Sequence, residues 1–176
     1  RARKTLLQTV SSNHMTVVLL NSTLADCYRQ LAKWDEARKL LTENLLILER
    51  AFGRESLFAA IALNSLGLVN LAEGDYSEAE SAFRRSLVAR ERSLGTNSIG
   101  YAATLNNLAL SLRAAGRPEA AIVDLYETAA KTIEAGAGGD SPELAAILAN
   151  WSDLSAGMGK EPKAAELMAR ALAINR

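Results

Sequence analysis

The sequence is short of the residues on which site chemistry usually depends. It holds one histidine, His14, and one cysteine, Cys27, in 176 residues. A single thiol excludes an internal disulfide and a multi-cysteine zinc site, and it suits a reducing compartment, so a cytoplasmic location is expected. A single imidazole leaves no metal set built on histidines, and neither a metal nor a cofactor is expected. Lys+Arg and Asp+Glu are both 20, so the formal net charge is zero. Without a field of one sign, neither nucleic acid nor an anionic membrane is an expected partner. No apolar run approaches the ~18 to 20 residues that span a bilayer. The basic start, RARKTLLQTV, lacks the apolar core and cleavage site of a signal peptide. Prolines number only three, so little interrupts helices.

What is present is repetition. Glycines punctuate apolar residues spaced i, i+3, i+4, i+7, which reads as helices joined by turns. Gly74 and Gly116 lie 42 positions apart (116 − 74), and the same offset carries Leu24 to Leu66 to Leu108 and Ala37 to Ala79 to Ala121. A fourth copy follows at an offset of 43, from Gly116 to Gly159, with the extra residue assigned to the glycine-rich stretch Ala135 to Asp140. That stretch lacks the Lys-Ser/Thr of a phosphate loop and reads as a connector. Each copy divides into helix A, a short turn and helix B. Ser56, Ser98 and Ser141 stand where helix A should be capped, the last followed by Pro142 at the first helical position.

Small residues recur where the two helices should touch. Ala25, Gly67, Ala109 and Ser152 share one position of helix A, and Ala37, Ala79, Ala121 and Ala164 share one position of helix B. Large residues lie beside them: Leu24, Leu66, Leu108 and Trp151 on A, and Leu41, Phe83, Leu125 and Met168 on B. One helix pair cannot cover such a face, so neighbours must stack on it. The expected fold is all-α, a right-handed α-α superhelix of about four helix-turn-helix repeats.

The pattern of Leu63, Leu66, Gly67, Gly74, Tyr76, Ala79 and Phe83 resembles the tetratricopeptide repeat (TPR) family. The 42-residue period and the phrases ALNSLG and TLNNLA are similar to the longer repeats of kinesin light chains. Asn70 and Ser155 depart from the family's tyrosine, and Asn44, Ser86 and Thr128 from its late alanine. The expected organisation is one array: 1–13 as the tail of a preceding helix B, then repeats at 14–55, 56–97, 98–140 and 141–176. Such a chain reads as a fragment of a longer protein, with Ala2, Leu6 and Leu7 on an apolar end open to self-association.

The resemblance implies that the A helices line a concave groove. Counting from the packing residues, the groove candidates are Asp26, Arg29, Asn64, Leu68, Leu71, Asn106, Leu110, Arg113 and Asp153. Asparagines can pair with the main chain of a peptide, leucines can take an apolar anchor, and arginines a carboxylate. Two local readings compete with that role. Asn64 and Asn106, like Asn107 and Asn150, could bond neighbouring helices, and Asp26 could simply pair with Arg29. The charged-terminus clamp of chaperone-binding TPRs is unmatched, since Ser22 and Asp26 occupy its Lys and Asn slots. No catalytic residue is expected: His14 suits a helix start, and Cys27 a buried small apolar place. The expected function is a noncatalytic scaffold whose partner is a protein or peptide. The alternatives are a structural or self-associating segment, or a regulatory sensor segment of a larger signalling protein.

Overall fold

The structure, a computed structural model, describes residues 14–136 and 141–175. The expected tail at 1–13, with Ala2, Leu6 and Leu7, and most of the glycine-rich connector lie outside these residues. The described residues form eight helices and no strand: α1 (His14–Gln30), α2 (Trp34–Phe52), α3 (Leu57–Glu73), α4 (Tyr76–Leu94), α5 (Ile99–Ala114), α6 (Glu119–Gly136), α7 (Pro142–Gly157) and α8 (Glu161–Ile174). Each helix packs on its sequence neighbours, and α3 also touches α5, as α5 touches α7. The fold is an all-α superhelix in which stability is carried by adjacent interfaces.

The helix ends follow from short-range chemistry. Ser56, Ser98 and Ser141 accept hydrogen bonds from the amides of Ala59, Tyr101 and Leu144 at 3.2, 3.2 and 3.1 Å. Such caps satisfy donors that the first helical turn leaves free. The turn within each pair recurs four times: the amides of Lys33, Asp75, Arg117 and Lys160 donate back to the carbonyls of Tyr28, Asn70, Leu112 and Ser155, each at 2.9 Å. The residue before each of these donors has positive φ, and it is glycine in three turns but Ala32, at φ 53°, in the first.

Packing within the pairs depends on size contrast. A Cβ added at Gly67 would lie 2.5 Å from the Cε1 of Phe83, so the ring of α4 rests on the bare backbone of α3. Ala25, Ala37, Ala79, Ala109, Ser152 and Ala164 are likewise buried. Two departures from the family's late alanine have a reason. Asn44 Nδ2 donates to the Val18 carbonyl at 2.9 Å, and Ser86 Oγ to the Ala60 carbonyl at 2.7 Å, at equivalent points of successive repeats. Apolar side chains form one core through α1–α3 and another through α4–α8, with Leu68 and Leu71 of α3 packed against the second.

Two expectations are corrected. Ala121 is exposed, whereas Ile122 is 1% and Tyr126 0% exposed. The helix B offset is therefore 43 from Ala79 to Ile122 (122 − 79) and 42 from Ile122 to Ala164 (164 − 122). The extra residue sits in the turn 115–118, which replaces the two-residue turn 74–75 of the second repeat, not at Ala135 to Asp140. Pro118 stands in this turn just ahead of α6, and its missing amide makes the helix interior the wrong place for it. Tyr126 then takes the slot of Phe83 in place of Leu125, and Ala129 the late small slot in place of Thr128. The second correction is Cys27, which is exposed rather than buried, because α2 covers the face of α1 that carries Ala25 and not the one that carries Cys27.

Gly67→Ala is expected to lower stability by about 1 to 3 kcal/mol, since overpacking against a buried ring outweighs the roughly 1 kcal/mol that alanine gains over glycine in a helix. Gly157 has no atom within 4 Å of an added Cβ, so Gly157→Ala is expected to raise stability by about 0.5 to 1 kcal/mol. Denaturant titration of both variants checks the contrast in sign. Ala32→Gly should relieve the positive φ and raise stability by about 0.5 to 1 kcal/mol in the same titration, and a loss would mean that Ala32 is unstrained.

Candidate functional site

Helices α1, α3, α5 and α7 lie side by side, and their outward faces carry every residue of the expected groove. On α1, Asp26 accepts from Arg29 Nη2 at 2.6 Å and from Gln30 Nε2 at 3.1 Å. The Arg29 hydrogen bond, and then its charge, hold the Asp26 carboxyl below the ordinary carboxylate value. This end of the face is thus neutralised by its own residues. A small cleft between α1 and α3, lined by Asp26, Arg29 and Leu68 among others, encloses about 110 Å³. That is well short of the roughly 300 Å³ at which small-molecule pockets begin.

In the middle, carboxamides bridge successive helices. Asn107 Nδ2 donates to Asn64 Oδ1 at 3.1 Å, and Asn150 Nδ2 to Asn106 Oδ1 at 2.9 Å. The Thr104 hydroxyl, donated mainly to the Gly100 carbonyl at 2.8 Å, also reaches Asn64 Oδ1 at 3.4 Å. Asn64 and Asn106 therefore spend their acceptor on the next A helix. Their Nδ2 amides find no acceptor among the described residues, and both side chains are half-buried. Leu68, Leu71 and Leu110 are also half-buried beside them, while Leu19 and Ile61 stand 69% and 48% exposed nearer the helix starts.

At the far end, Arg113 of α5 and Asp153 of α7 are exposed, and among the described residues neither is in an ion pair. Beneath them lies Tyr126, fully buried, whose hydroxyl has no hydrogen-bond partner. Burial pushes this phenol up to about 12, with Arg113 pulling it down and Asp153 raising it. Tyr126 is hidden by the 42-residue offset, which puts Leu125 in its slot. Pro118 and an aromatic one place later were the available signals.

His14 is the first residue of α1, and no three His, Cys, Asp or Glu residues among those described are placed to hold a metal ion. Among the described residues no helix is long and apolar enough to cross a membrane.

A family model described as tetratricopeptide repeat matches residues 16–92 and 60–123, together more than half of the chain. No curated protein matches it. Solved structures share its fold. BtubC (BKLC) from P. vanneervenii is 21% identical with a TM-score of 0.81, over 96% of this chain and 67% of that one. A Podosopora anserina kinesin-light-chain protein of nearly identical TPR-like repeats is 20% identical with a TM-score of 0.75, over 98% and 82%. MamA is 19% identical with a TM-score of 0.66, over 99% and 85%. Capped helix pairs, a ring seated on a glycine and a family match from α1 to the start of α6 agree: the chain belongs to the tetratricopeptide repeat family.

Proposed function

We propose that this array is a noncatalytic scaffold that binds an extended peptide or a partner helix along the outward face of α1, α3, α5 and α7. TPR arrays act in general as protein-interaction scaffolds, and the finer assignment to this face rests on its chemistry. The observation that carries it is the run of half-buried Leu68, Leu71 and Leu110 ending at Arg113 and Asp153, two charges without ion-pair partners among the described residues. An apolar strip takes an anchor side chain, the free Nδ2 amides of Asn64 and Asn106 suit main-chain carbonyls, and Arg113 suits a carboxylate. The zero net charge argues for a protein partner over nucleic acid or membrane, and the lone thiol for a cytoplasmic setting.

A structural role for the face is the second reading, and the Asn64–Asn107 and Asn106–Asn150 bonds favour it. The asparagines then serve to fix the register of one A helix on the next.

A peptide-display selection on the chain separates the two. Arg113→Glu changes an exposed residue, so stability should stay within about 0.5 kcal/mol. Enriched peptides should bind that variant at least about tenfold more weakly, a loss of ~1.4 kcal/mol. Absence of enrichment, or peptides indifferent to both Arg113→Glu and Leu68→Ser, would leave the structural reading standing. Asn64→Ala should cost about 1 to 2 kcal/mol in denaturant titration by stranding Asn107; no loss would mean that the bridge contributes nothing and that the amide is free for a ligand.

A further inference from the structure

Arg90 is out of keeping with its position. Its counterparts are Leu48 in the first repeat (90 − 42) and Ile133 in the third (90 + 43), both buried apolar residues. The side chain runs from α4 to the first turn of α5, where it meets Gly100. A Cβ at Gly100 would fall 2.1 Å from Nη1 and 2.9 Å from Cζ of Arg90, so the guanidinium occupies the room that the absent side chain leaves. The counterparts of Gly100 are Phe58 and Glu143, so cation and space are peculiar to this one junction.

The guanidinium has no counter-ion among the described residues. Its Nε is enclosed and makes no hydrogen bond. Among the described residues no carboxylate lies within ion-pair distance, although the other arginines of α4 are paired: Arg84 with Glu80, Arg85 with Glu49 and Arg92 with Glu55. Burial alone lowers its pKa, with no anion opposing the shift. A half-buried cation at an apolar position is costly unless an oxyanion meets it, and a planar guanidinium presents paired donors that fit one. The start of α5 adds a favourable dipole, with the Ser98 cap serving the amide of Tyr101 and leaving those of Ile99 and Gly100 free.

We propose that the junction of α4 and α5 is an oxyanion-binding site, in which the Arg90 guanidinium above Gly100 holds a phosphate or carboxylate group. It lies at the junction of the second and third repeats and is independent of the groove reading. An anion bound there ties the two repeats together and stabilises the folded state by mass action.

The test is the melting midpoint of the chain in sodium phosphate, sodium acetate and sodium chloride at matched ionic strength. An oxyanion should raise the midpoint by about 2 to 4 °C over chloride. A rise in phosphate alone assigns a phosphate group, and a rise in acetate as well assigns a carboxylate. Arg90→Leu, which installs the first repeat's residue, should melt no lower than the parent in chloride and lose the increment. Gly100→Asp supplies a carboxylate within the chain, so it should raise the midpoint in chloride and abolish the response. Equal midpoints in the three salts overturn the proposal. So does an increment that survives both substitutions, since it would reflect general exclusion of phosphate from the surface.

Discussion

The contact between a large side chain of one helix and the bare or nearly bare backbone of its partner holds each pair together. Phe83 on Gly67 is the extreme case, with no room for a single added carbon. Dispersion and apolar burial are greatest where surfaces interlock, and a glycine lets a ring reach main-chain atoms directly. The rest of the array depends on this seat: it sets how closely α3 and α4 approach, and so where each outward face points. Repetition of the seat, with Tyr126 in the slot of Phe83, turns four pairs into one superhelix.

Polar groups then fix what apolar packing leaves loose. Asn44 and Ser86 bond the carbonyls of Val18 and Ala60 inside their own pairs, and the asparagine bridges bind one A helix to the next. Hydrophobic contact is nondirectional, whereas a buried carboxamide tolerates one register only. The outer surface adds Arg85 to Glu49 and Arg170 to Glu134 across adjacent B helices, pairs that contribute about 0 to 1 kcal/mol each at exposed sites.

Helical periodicity assigns faces, so partial exposure along the A helices was legible in advance. Asp26, Arg29, Asn64, Leu68, Leu71, Asn106, Leu110, Arg113 and Asp153 are all exposed or half-buried on α1, α3, α5 and α7. Their bonding was legible only as competing readings. Asp26 pairs with Arg29 within α1, as the i, i+3 spacing allows, whereas the use of Asn64 and Asn106 as acceptors depends on where the next A helix is placed. Arg90 is inconspicuous for a related reason: along the chain it is one more arginine of a charged helix, and only its place opposite Gly100 gives it significance.

The sequence by itself determined that the chain is a train of capped helix pairs, because capping serines, turn glycines and 3.6-residue periodicity act over a few neighbours. It also determined the family, because small and large residues recur at fixed offsets. The register of α6 was decided only by tertiary structure. Ala121 and Ile122 are adjacent on one helix, and both fit a helical pattern. Which of them turns inward is settled by the four-residue turn 115–118 and by the slot that Tyr126 fills against its neighbours. The same holds for Cys27: helical periodicity gives its angle on α1, but only the placement of α2 decides that this angle faces solvent.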